Sequence, residues 1–139
     1  MERPDPRSDA RERALYLLYE AQAKGIEPTA TIDLQVIEPD ALTTELVVGV
    51  GSRVTELDAV IADKAREWTL TRMPVLDLNV MRLAAFELIA RPEVPVAVVI
   101  DEAVELAKRF STDRSGRFVN GVLAAIAADV RRVPDEVDH

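Results

Sequence analysis

The chain has 139 residues, about the length of one domain, and its 48% hydrophobic and 30% charged residues exclude a disordered or low-complexity chain. It contains no cysteine and one histidine, His139, which excludes a disulfide framework, a thiolate nucleophile, cysteine-bound zinc and a histidine-based triad. The net charge of −8 argues against nucleic-acid binding by the field of the whole chain, so charge has to be compared segment by segment. We expect a protein that is not an enzyme and needs no metal.

The first predicted element is a helix preceded by a short arm. Pro4 and Pro6 predict that residues 1–7 stay outside the helix and form a mobile arm. Ser8 is a favourable N-cap and Gly25 a typical C-terminal stop, and apolar residues between them recur every three or four positions. The sequence therefore predicts a first helix from about Ser8 to Gly25.

A proline-bounded loop and a long helix are predicted next. Residues 26–39 contain two prolines and predict a loop with at most one helical turn. Asp40 is a favourable cap for a helix that we expect to run to about Glu67, with apolar residues along one face. Gly49 and Gly51 either weaken this helix locally or let another helix approach closely.

Three further helices are predicted in the second half of the chain. They cover residues 75–91 after Pro74, 96–110 with Pro95 in the first turn, and 116–132 with Ser115 as the cap. The chain shows no alternating strand pattern and no internal repeat. The predicted class is all-α with five to seven helices, in one domain over residues 8–133 that is followed by a tail over 134–139.

Hydropathy excludes a membrane-spanning segment. No apolar run reaches the roughly 18 residues that a membrane span needs. The acidic, proline-containing start lacks the apolar stretch of a signal peptide. We therefore expect a soluble, cytoplasmic protein.

Charge is distributed unevenly along the chain. Residues 27–58 carry seven acidic residues and one basic residue, Arg53. Residues 108–117 reverse this balance, with four basic side chains against Asp113, a net charge of +3. The basic residues of this second segment are Lys108, Arg109, Arg114 and Arg117. Any surface that binds anions must therefore be local.

The basic segment has aromatic neighbours. Phe118 follows it directly, and Tyr16 or Tyr19 of the first helix are candidates to join it in space. Cations beside exposed rings are typical of single-stranded RNA recognition, because bases stack on rings while cations hold phosphates. The alternative is that these rings belong to the hydrophobic core.

Arginines at the start of the first helix form a second candidate site. Arg7 and Arg11 are one helical turn apart if the helix extends that far, so both could point at a phosphate. The neighbouring acidic residues cancel the positive charge of these arginines. The alternative is therefore that the charges at the start of the helix only balance one another and bind no ligand.

Two polar residues stand out within otherwise apolar helices. Arg82 requires an acidic partner, since a lone buried charge is costly, and Glu87 and Glu102 are the candidates. Asn120 is unusual in a helix interior, and we expect it to form a buried hydrogen bond to a neighbouring helix end.

Four blocks of sequence resemble a known family. The blocks ARERALYLLYEAQ, RMPVLDLNVMRLAAFEL, VPVAVVIDEAVELAKRF and GRFVNGVL are similar to those of the NusB family of bacterial transcription antitermination factors, over roughly residues 7–130. The resemblance implies two stacked three-helix bundles with no cofactor and no catalysis. It also implies pairing with NusE, a small-subunit ribosomal protein, and binding of the single-stranded boxA element of ribosomal RNA transcripts within the antitermination complex of RNA polymerase.

The resemblance also implies site residues. Positions that match the family's RNA-binding face are Arg7, Arg11, Tyr19, Arg117 and Phe118, and Arg114 adds a cation to this face. Asp77 matches an acidic position of the NusE-facing surface.

One departure keeps an alternative open. Ser8 and Asp9 interrupt the run of basic residues that the family often has at its start, which predicts weak RNA binding by the protein alone. The alternative is a divergent helical protein-interaction module with weak or no RNA binding, which self-associates, for example as a homodimer.

Overall fold

The computed structural model describes residues 5–66 and 69–131, and over these residues it contains seven α-helices and no strand. The helices are α1 (Pro6–Lys24), α2 (Pro28–Asp33), α3 (Ala41–Ser52), α4 (Val54–Lys64), α5 (Val75–Ala90), α6 (Val96–Phe110) and α7 (Asp113–Val130), with a single 3-10 turn at Leu70–Arg72. The predicted all-α class is confirmed. The predicted tail over 134–139 and the first four residues of the predicted arm lie outside the described residues.

Helix α1 begins before the predicted cap. Asp5, not Ser8, is the N-cap, and its side chain accepts a hydrogen bond from the backbone N–H of Arg7 at 2.9 Å. Pro6 occupies the first helical position, where its missing N–H has no acceptor to lose. Gly25 ends the helix as predicted, in a left-handed conformation with φ of 67° that glycine adopts without strain.

The prediction of one long helix after Asp40 is wrong in one respect, because the structure divides this stretch into two helices, α3 and α4. Asp40 does cap α3, accepting from the N–H of Thr43 at 2.7 Å, but the backbone leaves the helical region at Arg53 and α4 begins anew. The two glycines near the end of α3 have low helix propensity, which weakens this stretch. Gly49 does allow a close approach: a Cβ there would collide with the ring of Phe86 on α5.

Two smaller features also differ from the sequence-based prediction. Helix α2 lies within the predicted loop and is six residues long. Helix α7 is capped by Thr112, whose side chain accepts from the N–H of Ser115 at 2.9 Å. Ser115 therefore lies inside the first turn, and α7 starts earlier than predicted.

The helices form two stacked bundles. Helices α1, α2 and α3 pack together, as do α5, α6 and α7, and α4 packs against α5 and α7. Helix α5 belongs to the second bundle and also contacts α1 and α3 of the first, and eleven of its sixteen residues are buried, as expected for a helix that is apolar on nearly all sides. None of the helices in the described ranges is long and apolar enough to cross a membrane.

Candidate nucleic-acid interface

The turn from α6 to α7 carries an exposed group of cations. We call residues 108–117 the basic corner; its four basic side chains are Lys108, Arg109, Arg114 and Arg117, and all four are exposed. The corner also contains the start of α7, whose unpaired N–H groups add a partial positive charge. The corner can therefore attract an anion although the chain as a whole is acidic.

Aromatic rings connect the corner to α1. The rings of Tyr16 and Phe110 meet edge to face, with centroids 5.5 Å apart, and the guanidinium of Arg109 lies 4.8 Å from the centroid of Phe110. Tyr16 is 48% exposed, and Tyr19, three residues further along the same face of α1, is 46% exposed. The structure thus brings Tyr16 to the corner, and Phe110, which sequence reasoning missed, is the ring that joins them.

Glu12 limits the charge of the corner. Its Oε1 forms an ion pair with Nη2 of Arg109 at 3.1 Å, and its Oε2 accepts a hydrogen bond from the hydroxyl of Tyr16 at 2.9 Å. The hydrogen bond to Glu12 raises the pKa of Tyr16 above its ordinary value. Among the described residues, Lys108, Arg114 and Arg117 form no ion pair.

Phe118 is not a fully exposed stacking platform. Its ring is half-buried and packs against the hydrophobic core, so only part of it faces solvent. The sequence left open whether this ring belongs to the core or to the surface, and the structure places it at the boundary between them.

A groove runs between α6 and α7 beside the corner. It encloses about 400 Å³, and its lining residues are Val104, Lys108, Asp113, Gly116, Arg117 and Asn120. A Cβ on Gly116 would lie 2.7 Å from Cγ of Lys108, so the glycine allows the lysine stem to lie against α7. The prediction of a buried hydrogen bond for Asn120 is wrong: the side chain is exposed in this groove.

Arg7 lies away from the basic corner. Its side chain is 73% exposed, its Nε is 3.7 Å from the carboxylate of Asp5, and it lines a separate groove of about 270 Å³. Arg91 and Glu102 belong to the same groove. The structure therefore does not bring Arg7 together with the corner.

The predicted surface position of Arg11 is corrected by its burial. The side chain is only 6% exposed; Nε and Nη2 donate to the two carboxylate oxygens of Glu87 at 2.7 and 2.9 Å, and Nη1 donates to Glu102 at 3.2 Å. Burial opposes the charged form, but the two carboxylates outweigh it and raise the pKa of Arg11. Arg11 ties α1 to α5 and α6 and has no free edge for a phosphate.

The predicted surface position of Asp77 is corrected in the same way. Asp77 is 0% exposed, and its Oδ2 accepts from the hydroxyl of Ser115 at 2.7 Å, while its Oδ1 has no hydrogen-bond partner in the described part of the chain. Asp77 therefore joins the start of α5 to the first turn of α7. Sequence alone offered no signal for this pair, whose members are 38 positions apart.

Arg82 has an acidic partner, but neither of the predicted ones. Its Nε and Nη2 donate to the two carboxylate oxygens of Asp58 on α4 at 2.7 and 2.8 Å. The two glutamates that the sequence offered, Glu87 and Glu102, bind Arg11 instead.

A cavity between α1 and α5 contains polar groups that already bind each other. It encloses about 830 Å³ between α1, the junction of α3 and α4, and α5. Asn79 donates to Gln22 at 3.0 Å and accepts from Arg82 at 3.1 Å. Within residues 5–66 and 69–131, no three Asp, Glu, His or Cys side chains are grouped so that they could hold a metal ion.

Comparison with known proteins identifies related sequences over nearly the whole chain. The model of the NusB family matches residues 8–128. Similar curated proteins include the transcription antitermination protein NusB of Sorangium cellulosum, 44% identical over 133 residues that cover 91% of this chain and 95% of the relative. The protein of the same name from Saccharopolyspora erythraea is 46% identical over 127 residues, which cover 87% of this chain and 86% of the relative.

Solved structures share the fold. NusB of T. maritima superimposes with a TM-score of 0.82 at 29% identity, and the match covers 91% of this chain and 94% of that one. A chain from the crystal structure of antitermination factors NusB and NusE in complex with dsRNA gives a TM-score of 0.74 at 27% identity, with coverage of 87% and 95%.

Proposed function

The chain belongs to the NusB family, and from this premise we propose that it is a transcription antitermination factor that pairs with NusE and binds boxA RNA. Relatives over most of its length carry the name transcription antitermination protein, and a related fold occurs in a complex with NusE and RNA. In this proposal the protein acts by binding within the RNA polymerase antitermination complex, with no catalysis and no cofactor.

The basic corner is the observation that carries the proposal. Three of its cations have no ion pair among the described residues, and the exposed rings of Tyr16 and Tyr19 lie on the neighbouring face of α1. Cations can bind the phosphates of a single strand while aromatic rings stack on its bases. Such a local group of side chains can bind RNA even though the net charge of the whole chain is negative. The proposed RNA-binding residues are Lys108, Arg114, Arg117, Tyr19 and the exposed part of Phe118.

The two other predicted arginines have different places in this proposal. Arg7 would contact only RNA that continues past the corner toward the start of α1, because it lines a separate groove. Arg11 takes no part in RNA binding, because both of its edges are bonded inside the protein. Asp77 has no exposed surface to offer a partner, and in this proposal it holds the first turn of α7 through Ser115.

A protein-interaction module without RNA binding is the second candidate. The observation that favours it is the pair between Glu12 and Arg109, which neutralises one of the four cations of the corner. Such a module would bind NusE, or a second copy of itself, through helix surfaces alone.

Fluorescence anisotropy with labelled boxA RNA tests the proposal. We expect the protein with NusE to bind the RNA, with an affinity that falls as salt rises; three phosphate contacts on a single strand give a logarithmic slope of about −2. A NusE complex that excludes the RNA at low salt would instead support the second candidate. Sedimentation at the same concentrations separates a homodimer from the heterodimer.

A further inference from the structure

The groove between α6 and α7 contains an amide that the packing of the protein does not use. Asn120 is exposed there, and it forms no hydrogen bond with any other described residue. Asparagine in the middle of a helix has a lower helix propensity than alanine. The helix therefore holds an unfavourable residue without an internal partner that explains it.

The next residue of α7 is also not explained by packing. Gly121 is exposed, and a Cβ built there meets no atom within 4 Å, so no neighbouring helix requires a glycine at this position. Gly121 can therefore be substituted without disturbing the groove.

The other lining groups provide an apolar wall and cations. Gly116 lets the aliphatic stem of Lys108 lie against α7, and Val104 adds an apolar surface on α6. Arg117 supplies a second cation, and Asp113 a carboxylate that can accept from an amino group. A volume of about 400 Å³ falls within the range of about 300–1,000 Å³ that is usual for small-ligand sites.

Building on the proposed RNA binding, we propose that this groove holds one nucleobase of the RNA and that the amide of Asn120 binds the edge of that base. A side-chain amide presents a donor beside an acceptor, and a base of a single strand presents the complementary pair, for example adenine through N6 and N7. Lys108 and Arg117 bind the flanking phosphates, so different side chains of the groove bind the base and the backbone.

A binding cycle between Asn120 and the base tests this assignment. The protein with NusE is titrated against boxA RNA and against versions in which each nucleotide in turn is abasic. We expect Asn120→Ala to weaken binding of the intact RNA about tenfold, with an unchanged salt slope because no charge is removed. On the RNA that is abasic at the contacted position, parent and variant should bind equally.

Gly121→Ala is the matched control. It raises helix propensity at the adjacent exposed position, as Asn120→Ala does, but it keeps the amide. The control should bind all the RNAs like the parent, and neither variant should lower the thermal unfolding temperature. Parent-like affinity of Asn120→Ala for intact RNA, or an equal loss on every abasic RNA, overturns the nucleobase assignment while the salt-dependent binding of the parent still stands. Absence of RNA binding by the parent overturns both proposals.

Discussion

Arginine has two different environments in this protein, one buried between α1, α5 and α6 and the other at the basic corner. Arg11 is almost fully buried and donates to two glutamates, whereas Arg114 and Arg117 are exposed and have no ion pair among the described residues. The difference shows that a basic residue near a proposed binding surface is informative only when its acceptors are known. Where the protein supplies the acceptor, the arginine stabilises the fold; where it supplies none, the arginine is available to a ligand.

The partly buried Arg131 follows the same rule. Arg131 donates from Nε to the carbonyl of Leu88 at 2.7 Å and from Nη2 to the carbonyls of Glu87 and Arg91, at 3.3 and 3.0 Å. The carbonyl of Leu88 has no helical N–H partner, because Pro92 lies four residues after it, whereas the carbonyls of Glu87 and Arg91 also accept from the backbone N–H groups of Arg91 and Val94. Substitutions in the interior should therefore change stability, and substitutions in the corner should change RNA affinity.

The largest expected effect is on the buried arginine. Arg11→Met should lower the free energy of unfolding by about 3–5 kcal/mol, because it leaves the buried carboxylate of Glu87 without its main partner. Urea unfolding followed by circular dichroism measures the change. The double variant Arg11→Met with Glu87→Met should recover most of the loss, since it removes both charges. A loss below about 1 kcal/mol for the single variant would contradict the structural role assigned to Arg11.

A smaller loss of stability is expected when the hydroxyl of Ser115, which links the buried Asp77 to the basic corner, is removed. Ser115→Ala should cost about 2 kcal/mol, because it removes the only hydrogen bond to the carboxylate of Asp77 that the described residues provide. Ser111→Ala is the control, since its hydroxyl contacts only that of Ser115 at 3.0 Å and its loss should cost less. Equal losses for the two serines would show that Asp77 does not depend on this bond.

Local signals explain how much of the fold was predictable. Gly25 and Asp40 terminate and cap helices through contacts within a few residues, and Pro74 and Pro95 mark the starts of α5 and α6, so each could be identified from its neighbours. The start of α1 was missed because Asp5 and Ser8 are both good caps three positions apart.

The candidate site was less predictable, because burial depends on distant residues. Exposed cations at residues 108–117 followed from their density in the sequence, but the difference between Arg7 and Arg11 depends on Glu87, which is 76 positions from Arg11. Asp77 was placed on a surface because it is acidic and early in its helix, and only the packing of α7 against α5 shows that it is buried.

An intermediate effect, on affinity alone, is expected in the corner. Arg117→Ala should weaken boxA binding by the protein with NusE roughly five- to tenfold at 50 mM salt and reduce the logarithmic salt slope by about 0.7, because one phosphate contact is lost. Stability should change by less than about 0.5 kcal/mol, since the side chain is exposed. Arg72→Ala is the matched control, an exposed arginine in the 3-10 turn before α5, and it should leave the slope unchanged. An equal fall in slope for both variants would mean that the corner has no special role.

The smallest effect tests whether Glu12 restrains the corner. Glu12→Gln removes the carboxylate that pairs with Arg109, so RNA affinity should rise about two- to threefold at low salt, in line with the value of an exposed ion pair. The same substitution weakens the hydrogen bond from Tyr16, and because that bond raises its pKa, ultraviolet titration should show the pKa of Tyr16 falling toward its ordinary value. The two readouts separate the causes: a lowered pKa confirms that the contact is broken in solution. If the pKa falls while RNA affinity stays the same, Arg109 is not on the RNA path and the binding surface is limited to Lys108, Arg114 and Arg117.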